Sequence, residues 1–346
     1  MGNKTMDFRS DTVTRPSDEM RRVIASAEVG DDIYGDDPSS NALSEYEAEI
    51  TGKEAAIFAC SGTMGNLLAL LTAGRHGESI LAGKNAHILC AEVGGVAAIA
   101  GLCPYELSDG SGIPSPEEIA SAARIDGDVH HARTSVLALE NTHNYAGGIA
   151  ASPEEFAAAA RQGKRLGFHV HLDGARIFNA AVRHGVPVSV YTKEVDSVQF
   201  CLSKGLGAPL GSMLCGSREF IDEAIRWRKR IGGAQRQLGI AAAAGLYALK
   251  HNIDRLAEDH ENAALIVKLL KAGGVKVEEV RSMTNMVFFS LHGCRLSDAE
   301  FEAGCREKGL LLLAISPRRI RLVTHLDVTR NDAERAAEII SEVLSS

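Results

Sequence analysis

No run of apolar residues in this 346-residue chain is long enough to cross a bilayer, and the first residues have no apolar stretch of the kind a secretory leader carries. Positive charge is not in surplus either: 37 Lys and Arg stand against 45 Asp and Glu, a net charge of −8. Binding a phosphate backbone needs a basic face, so neither nucleic acid nor a membrane is an expected partner. The one dense basic run, Arg226-Trp227-Arg228-Lys229-Arg230, reads as a solvated or subunit-contacting helix face. Paired cysteine spacings are missing. The seven cysteines are scattered without a Cys-x-x-Cys, and Cys60, Cys201 and Cys215 lie inside apolar runs. That argues against a disulfide framework and predicts reduced core thiols in a cytoplasmic protein. Internal repeats and low-complexity linkers are absent as well.

What the chain does have is apolar material, 45% of its residues, enough for a substantial core in two domains or one large one. Short apolar runs alternate with helical patterns: Ala55–Cys60 then Thr63–Ala73, Ser135–Leu139 then Pro153–Leu166, Phe168–Leu172 then Ile177–Arg183, Ser197–Leu202 then Met213–Cys215. This alternation predicts an α/β fold with a mostly parallel sheet. Beyond Ile240–Leu249 the pattern changes: a helix near Ile253–Ala272, strands at Val275–Val280, Met286–Leu291 and Ile320–Leu322, and helices near Asp298–Lys308 and Arg330–Val343. We expect a large domain over residues 1–250 and a smaller C-terminal α+β domain over 251–346.

Three segments carry chemistry. Ser203-Lys204-Gly205-Leu206-Gly207 follows a buried strand. Burial there disfavours an ammonium and leaves an amine able to attack an aldehyde, while the flanking glycines let a bulky ligand approach. The alternative is a surface lysine in a turn. His171-Leu172-Asp173-Gly174-Ala175-Arg176 closes another strand, one crossover earlier. Parallel strands joined by a crossover end at the same sheet edge, so Asp173 and Lys204 would face one crevice. A carboxylate there calls for a cation, such as a protonated pyridine nitrogen; the alternative is a structural pair of Asp173 with Arg176. Ser61-Gly62-Thr63 lies between a strand and a helix, and the free N–H groups of that helix would hold an anion. Its pattern is neither G-x-x-x-x-G-K-[ST] nor G-x-G-x-x-G, which suits one phosphate better than a triphosphate or dinucleotide.

These segments and several longer ones make the chain resemble the low-specificity L-threonine aldolases, which are fold-type-I pyridoxal-phosphate enzymes. The matching stretches are Phe8-Arg-Ser-Asp-Thr-Val-Thr-Arg-Pro16, Gly30-Asp-Asp-Ile-Tyr-Gly-Asp-Asp-Pro38, Gly52-Lys-Glu-Ala-Ala-Ile-Phe58, Ser61-Gly-Thr63, Leu139-Glu-Asn-Thr-His-Asn144, His171-Leu-Asp-Gly-Ala-Arg-Ile-Phe-Asn179, Leu202-Ser-Lys-Gly-Leu-Gly207 and Arg321-Leu-Val-Thr-His-Leu-Asp327. The resemblance implies a transferase-like fold and cleavage of threonine or allo-threonine to glycine and an aldehyde. A β-eliminating lyase is the alternative within the same cofactor class. It implies Lys204 as the Schiff-base lysine, Asp173 as partner of the pyridine nitrogen, and Ser61, Gly62 and Thr63 as the phosphate loop. His87 would stack on the ring, and Ser203 and Arg176 would touch the cofactor near its 3′-oxygen. Arg236, with Lys229 nearby, would reach the phosphate from a neighbouring subunit. Ser10, Arg176 and Arg321 would grip the substrate carboxylate. His87 and His130 would meet the substrate hydroxyl, and Tyr34 would project into the adjacent site. A homotetramer with shared active sites is implied as well.

Some choices stay open at this level. His131 rivals His130, Arg318 and Arg319 rival Arg321, and the base is His87, His130 or a water. His169-Val170-His171-Leu172-Asp173 puts two imidazoles and a carboxylate on one strand face, which a metal-dependent hydrolase would use. Asp31, Asp32, Asp36 and Asp37 lack the spacing of a calcium loop and read as an acidic turn. Thr12, Thr14 and Ser203 are candidates for a structural cation near the site. His143 reads as a satisfied structural histidine.

Overall fold

The computed structural model describes residues 5–125 and 129–345. Twelve strands occur among them in chain order: β1 Met6–Asp7, β2 Ala55–Ala59, β3 Ser79–Gly83, β4 Cys103–Leu107, β5 Thr134–Glu140, β6 His169–Asp173, β7 Ser197–Cys201, β8 Ser212–Gly216, β9 Met286–Ser290, β10 Leu310–Leu311, β11 Leu313–Ser316 and β12 Arg319–Val323. Seven of them form the central sheet in the order β2-β8-β7-β6-β5-β3-β4. All share one direction except β8, which runs against both neighbours. Strands β3, β7 and β8 are buried along their whole length, as a sheet covered by helices on both faces requires.

The helices cover it where their sequences allow. Pro153–Arg165 opens with Pro153 and a reciprocal capping box between Ser152 and Glu155, and closes on Lys164 and Arg165, complementing the helix dipole. Gly62–Ala73 lies against β7 so closely that a Cβ on Gly62 would stand 2.8 Å from Cys201 Sγ, and one on Gly65 would stand 2.5 Å from Gln199 Cγ. Glycine at both positions is what lets the start of this helix reach the sheet.

A second layer is built from the antiparallel sheet β11-β12-β9 and the helices Leu256–Ala272, Asp298–Glu307 and Arg330–Ser345. Its buried cluster includes Phe289, Phe301, Leu322 and Ile340, and also Met6 and Phe8 from the N-terminal arm. Strand β1 pairs in parallel with β10, and the Val323 N–H donates to the Phe8 carbonyl. The arm is thereby pinned to the small layer and delivers Ser10 and Asp11 to the carboxyl-end rim of the large sheet. In the central sheet β3 and the edge strand β4 go beyond the expected elements. In β4 the sequence Cys-Pro-Tyr-Glu-Leu has a proline and an exposed face, both allowed at an edge. The strand expected at Val275–Val280 reduces to a single bridge between Val277 and Phe289.

Candidate active site

The carboxyl ends of β2, β5, β6 and β7 lie along one rim of the sheet. A pocket of about 140 Å³ opens there, lined by Ser61, Gly62, Thr63, Asn66, His87, Glu92, Asp173, Ala175, Gln199, Cys201, Ser203 and Lys204. The three sequence segments singled out for chemistry therefore meet in one place. Lys204 is half-buried rather than sealed, so it is less enclosed than its position after a buried strand suggested.

Asp173 is 2% exposed and receives only neutral donors: Asn66 Nδ2 at 2.8 Å and the Ala175 N–H at 3.1 Å. With its amide turned to satisfy both ends, Gln199 adds a third donor at 3.1 Å and accepts from the Phe200 N–H. The structural pair of Asp173 with Arg176 does not form. Arg176 instead grips Asp11, Nε to Oδ2 and Nη2 to Oδ1, both at 2.7 Å. Burial opposes the Asp11 charge, but the Arg176 charge and hydrogen bonds outweigh it and hold the carboxyl far below the ordinary range. Arg176 is thus a committed ion pair, with only Nη1 outside the bidentate contact.

The helix Gly62–Ala73 starts at Ser61, whose Oγ accepts from the Met64 N–H at 3.2 Å. The N–H groups of Gly62 and Thr63 precede any carbonyl of their own helix, and both residues line the pocket. His87 is held at both ends. Its backbone N–H donates to Glu140 Oε2 at 2.6 Å, and Nδ1 lies 2.9 Å from Glu92 Oε1. The Glu92 hydrogen bond outweighs burial and raises the His87 value above its ordinary level. With Nδ1–H donated to Glu92, Nε2 carries the lone pair. Glu140 also accepts the Asn144 N–H at 2.8 Å, and Asn144 Oδ1 accepts from Arg321 Nη1 at 3.1 Å. Arg321 donates through Nη2 to the Arg9 carbonyl and keeps a buried Nε with no partner. Its rivals are occupied: Arg318 by Asp298 and the carbonyls of Leu291, Cys294 and Leu296, and Arg319 by Glu278 and the Tyr145 carbonyl. Ser10 is near at hand, its Oγ capping the Thr12 N–H beside Asp11.

The remaining candidates stand apart from Lys204 within one copy or are already engaged. His130 is exposed and lies before β5, at the amino-end rim. The strand between is seven residues long, about 20 Å of extended chain, so within one copy His130 and Lys204 occupy opposite rims; His131 shares that location. Tyr34 and Lys229 do come together, but in a separate cavity of about 780 Å³ beside the Arg218–Arg230 helix. Arg236 pairs with Asp31 at 2.9 Å. None of the three lines the Lys204 pocket. The histidines of the H-x-H strand are tied up in the sheet: His169 and His171 both bond Ser197 Oγ, and His171 also faces Asn66 Oδ1. Burial pushes them down to about 4 and about 3. Among the described residues the set with metal-ligand spacing is His87, Glu92 and Asp173, and there the Asn66 amide already donates to both carboxylates where a cation would sit. The acidic turn works as caps and ion pairs, Asp37 capping Pro38–Thr51 and Asp32 binding Arg228 at 2.6 Å. The Thr14 hydroxyl is engaged by the Asp11 carbonyl and His325. His143 is buried between Asp109 Oδ2 and the Ala146 N–H, a satisfied structural histidine.

Sequence reasoning missed Asn66, Glu92, Asp11, Glu140 and Asn144. The last three stand inside the quoted stretches and were legible as part of them, whereas Asn66 and Glu92 have no local signal.

A beta-eliminating lyase family model matches residues 7–292. The low-specificity L-threonine aldolase of Escherichia coli K12 is 45% identical over 96% of this chain and 97% of that protein. Low-specificity L-threonine aldolase 1 of Arabidopsis thaliana is 41% identical over 95% and 93%. This chain belongs to the low-specificity L-threonine aldolase family. The solved threonine aldolase of Leishmania major superposes with a TM-score of 0.85 at 18% identity, covering 98% of this chain and 99% of that one, which speaks for the fold alone. Threonine aldolases are fold-type-I pyridoxal-phosphate enzymes, and the pocket fits the cofactor on its own evidence. A buried carboxylate with only neutral hydrogen-bond donors, a rim lysine and open helix N–H groups suit a pyridinium, an aldehyde and a phosphate respectively.

Proposed function

We propose that the chain cleaves L-threonine, L-allo-threonine and related β-hydroxy-α-amino acids to glycine and an aldehyde. The observation that carries this is the sharing of one small pocket by Lys204, Asp173 and the Gly62–Thr63 N–H groups, in a chain of this family. When bound, pyridoxal phosphate supplies the electron sink that lets a bond to the substrate Cα break. Lys204 is its covalent anchor, and Ser61, Gly62 and Thr63 hold the phosphate. Asp173 keeps the ring nitrogen charged. His87, oriented by Glu92, would contact the cofactor ring, as would Ser203 and Arg176. Arg321, Arg176 and Ser10 would take the substrate carboxylate, which fixes the bond to be broken. His87 Nε2 receives the β-hydroxyl proton.

Arg236, Lys229, Tyr34 and His130 lie away from Lys204 in one copy, which favours a homotetramer in which neighbouring copies complete each site. Seven free cysteines suit a reducing, cytoplasmic setting. Among the described residues no helix is long and apolar enough to cross a membrane.

The decisive experiment follows glycine and acetaldehyde from threonine and from allo-threonine separately. Pyruvate and ammonia as main products would place the chain with the β-eliminating enzymes instead. Borohydride reduction followed by peptide mapping should fix the cofactor to Lys204, and Lys204→Ala should abolish turnover; label on another peptide ends this reading.

A further inference from the structure

Asn66 has no chemistry of its own to offer, yet its carboxamide joins three parts of the pocket. It stands early in the helix whose N-terminus is the phosphate loop, and it is 1% exposed. Nδ2 donates one hydrogen to Glu92 Oε1 and the other to Asp173 Oδ2, each at 2.8 Å. Oδ1 faces His171 Nε2 at 3.0 Å, His171 Nδ1 faces Ser197 Oγ at 2.9 Å, and Ser197 Oγ faces His169 Nε2 at 2.8 Å. A carboxamide oxygen only accepts, so His171 carries its proton on Nε2. Its Nδ1 then accepts from Ser197, which accepts in turn from His169. The two carboxylates, which only accept, fix which way the Asn66 amide faces, and each member of the chain behind it then has one assignment.

We infer that Asn66 is a positioning residue that sets the aim of Asp173 towards the cofactor nitrogen and, through Glu92, the placement of His87. His87, Glu92 and Asp173 bring ligand-type atoms within 4.8 Å of one another. Two carboxylates that close repel, and the Asn66 amide between them is the donor that lets both hold their places. Without that donor the two move apart: Asp173 turns from the place of the ring nitrogen, and Glu92 no longer holds His87 in position. Glu140, beside Asp173 in the sheet register, Lys204, His143 and His171 are further titratable groups that face this pair. The inference rests on the pyridoxal-phosphate reading of the pocket.

The test compares wild type, Asn66→Ala, the near-isosteric Asn66→Asp and Glu92→Gln. Three quantities are read: pyridoxal-phosphate Kd from titration of the apoprotein, the pH midpoint of the bound cofactor's absorbance, and kcat and KM. Both Asn66 variants should weaken cofactor binding about tenfold and move the midpoint by about one pH unit, the scale of one lost charge-assisted hydrogen bond. Glu92→Gln should lower kcat while leaving that midpoint in place. Asn66 variants that lose thermal stability but keep Kd and midpoint within about twofold of wild type would show a purely structural residue and overturn the inference. Should neither Asn66 variant fold, His171→Phe and Ser197→Ala free the amide from behind; they should shift the midpoint in the same direction, and an unmoved midpoint overturns the inference there too. Wild-type protein that binds no pyridoxal phosphate sinks the underlying reading instead.

Discussion

At its amino end β6 starts with His169, beside a broad cavity of about 690 Å³ lined by Lys53, Lys164, Asp196 and Phe220 among others. At its carboxyl end the same strand finishes with Asp173, in the pocket of about 140 Å³. The two rims hold similar residue types in different surroundings. Lys164 and Asp196 pair at 3.2 Å with side chains 39% and 38% exposed, whereas Arg176 and Asp11 pair at 2.7 Å with 6% and 0%. Water screens the first pair and is excluded from the second, so Coulomb interactions are several-fold stronger at the carboxyl rim. A charge placed there by a ligand meets a prepared field. At the amino rim it would meet solvent.

The largest effect expected from breaking this contrast is on turnover. Asp173→Asn keeps the shape, removes the charge and turns one acceptor into a donor, so kcat should fall about a hundred- to a thousand-fold while the fold persists by circular dichroism. Retention of wild-type kcat would separate the buried charge from the chemistry.

Next comes Asp11→Ala, which strands the buried Arg176 guanidinium. Urea unfolding should show a loss of about 3–5 kcal/mol, with Arg176→Met in the same chain recovering part of it. The native Asp11 value is depressed, so the milder Asp11→Asn comparison has a definite pH dependence. Its deficit should persist above the ordinary aspartate value of 3.8 and narrow as pH falls through the native value.

A smaller effect attaches to Glu92. The native His87 value is raised by the Glu92 hydrogen bond, so their pairing stabilises the protein fully below the ordinary histidine value of 6.5 and loses that contribution as pH rises through the native value. Glu92→Gln should therefore differ from wild type most at mildly acidic pH and converge with it in base. A gap that widened with pH would reverse the assignment. The smallest change is expected at the amino rim, where Lys164→Ala should cost no more than about 1 kcal/mol and leave kcat and KM unchanged.

How far the sequence alone reached can be judged residue by residue. Strand ends were legible to within one or two positions: Ala55–Cys60 against β2 at Ala55–Ala59, and Ser197–Leu202 against β7 at Ser197–Cys201. Buried parallel strands are continuous apolar runs, and glycine or a cap marks where they stop. The strand Ser79–Gly83 escaped because five small and apolar residues carry no period, and Val275–Val280 was over-read because an apolar run does not reveal whether a partner strand lies alongside. Lys204, Asp173 and the Ser61–Thr63 loop were readable as one site because crossover topology sends successive parallel strands to the same rim.

What the sequence by itself determined is the supply of reactive groups and the rim at which each strand delivers them, since both follow from local order and from the handedness of strand–helix–strand units. The tertiary structure alone decided the company those groups keep. Arg176 takes Asp11 from an arm 165 positions away, Asn66 stands between one carboxylate at a strand end and another on a loop, and His130 ends up across the sheet from Lys204. Such choices depend on which low-dielectric spaces close around which charges, a property of the packed layers and not of any one segment.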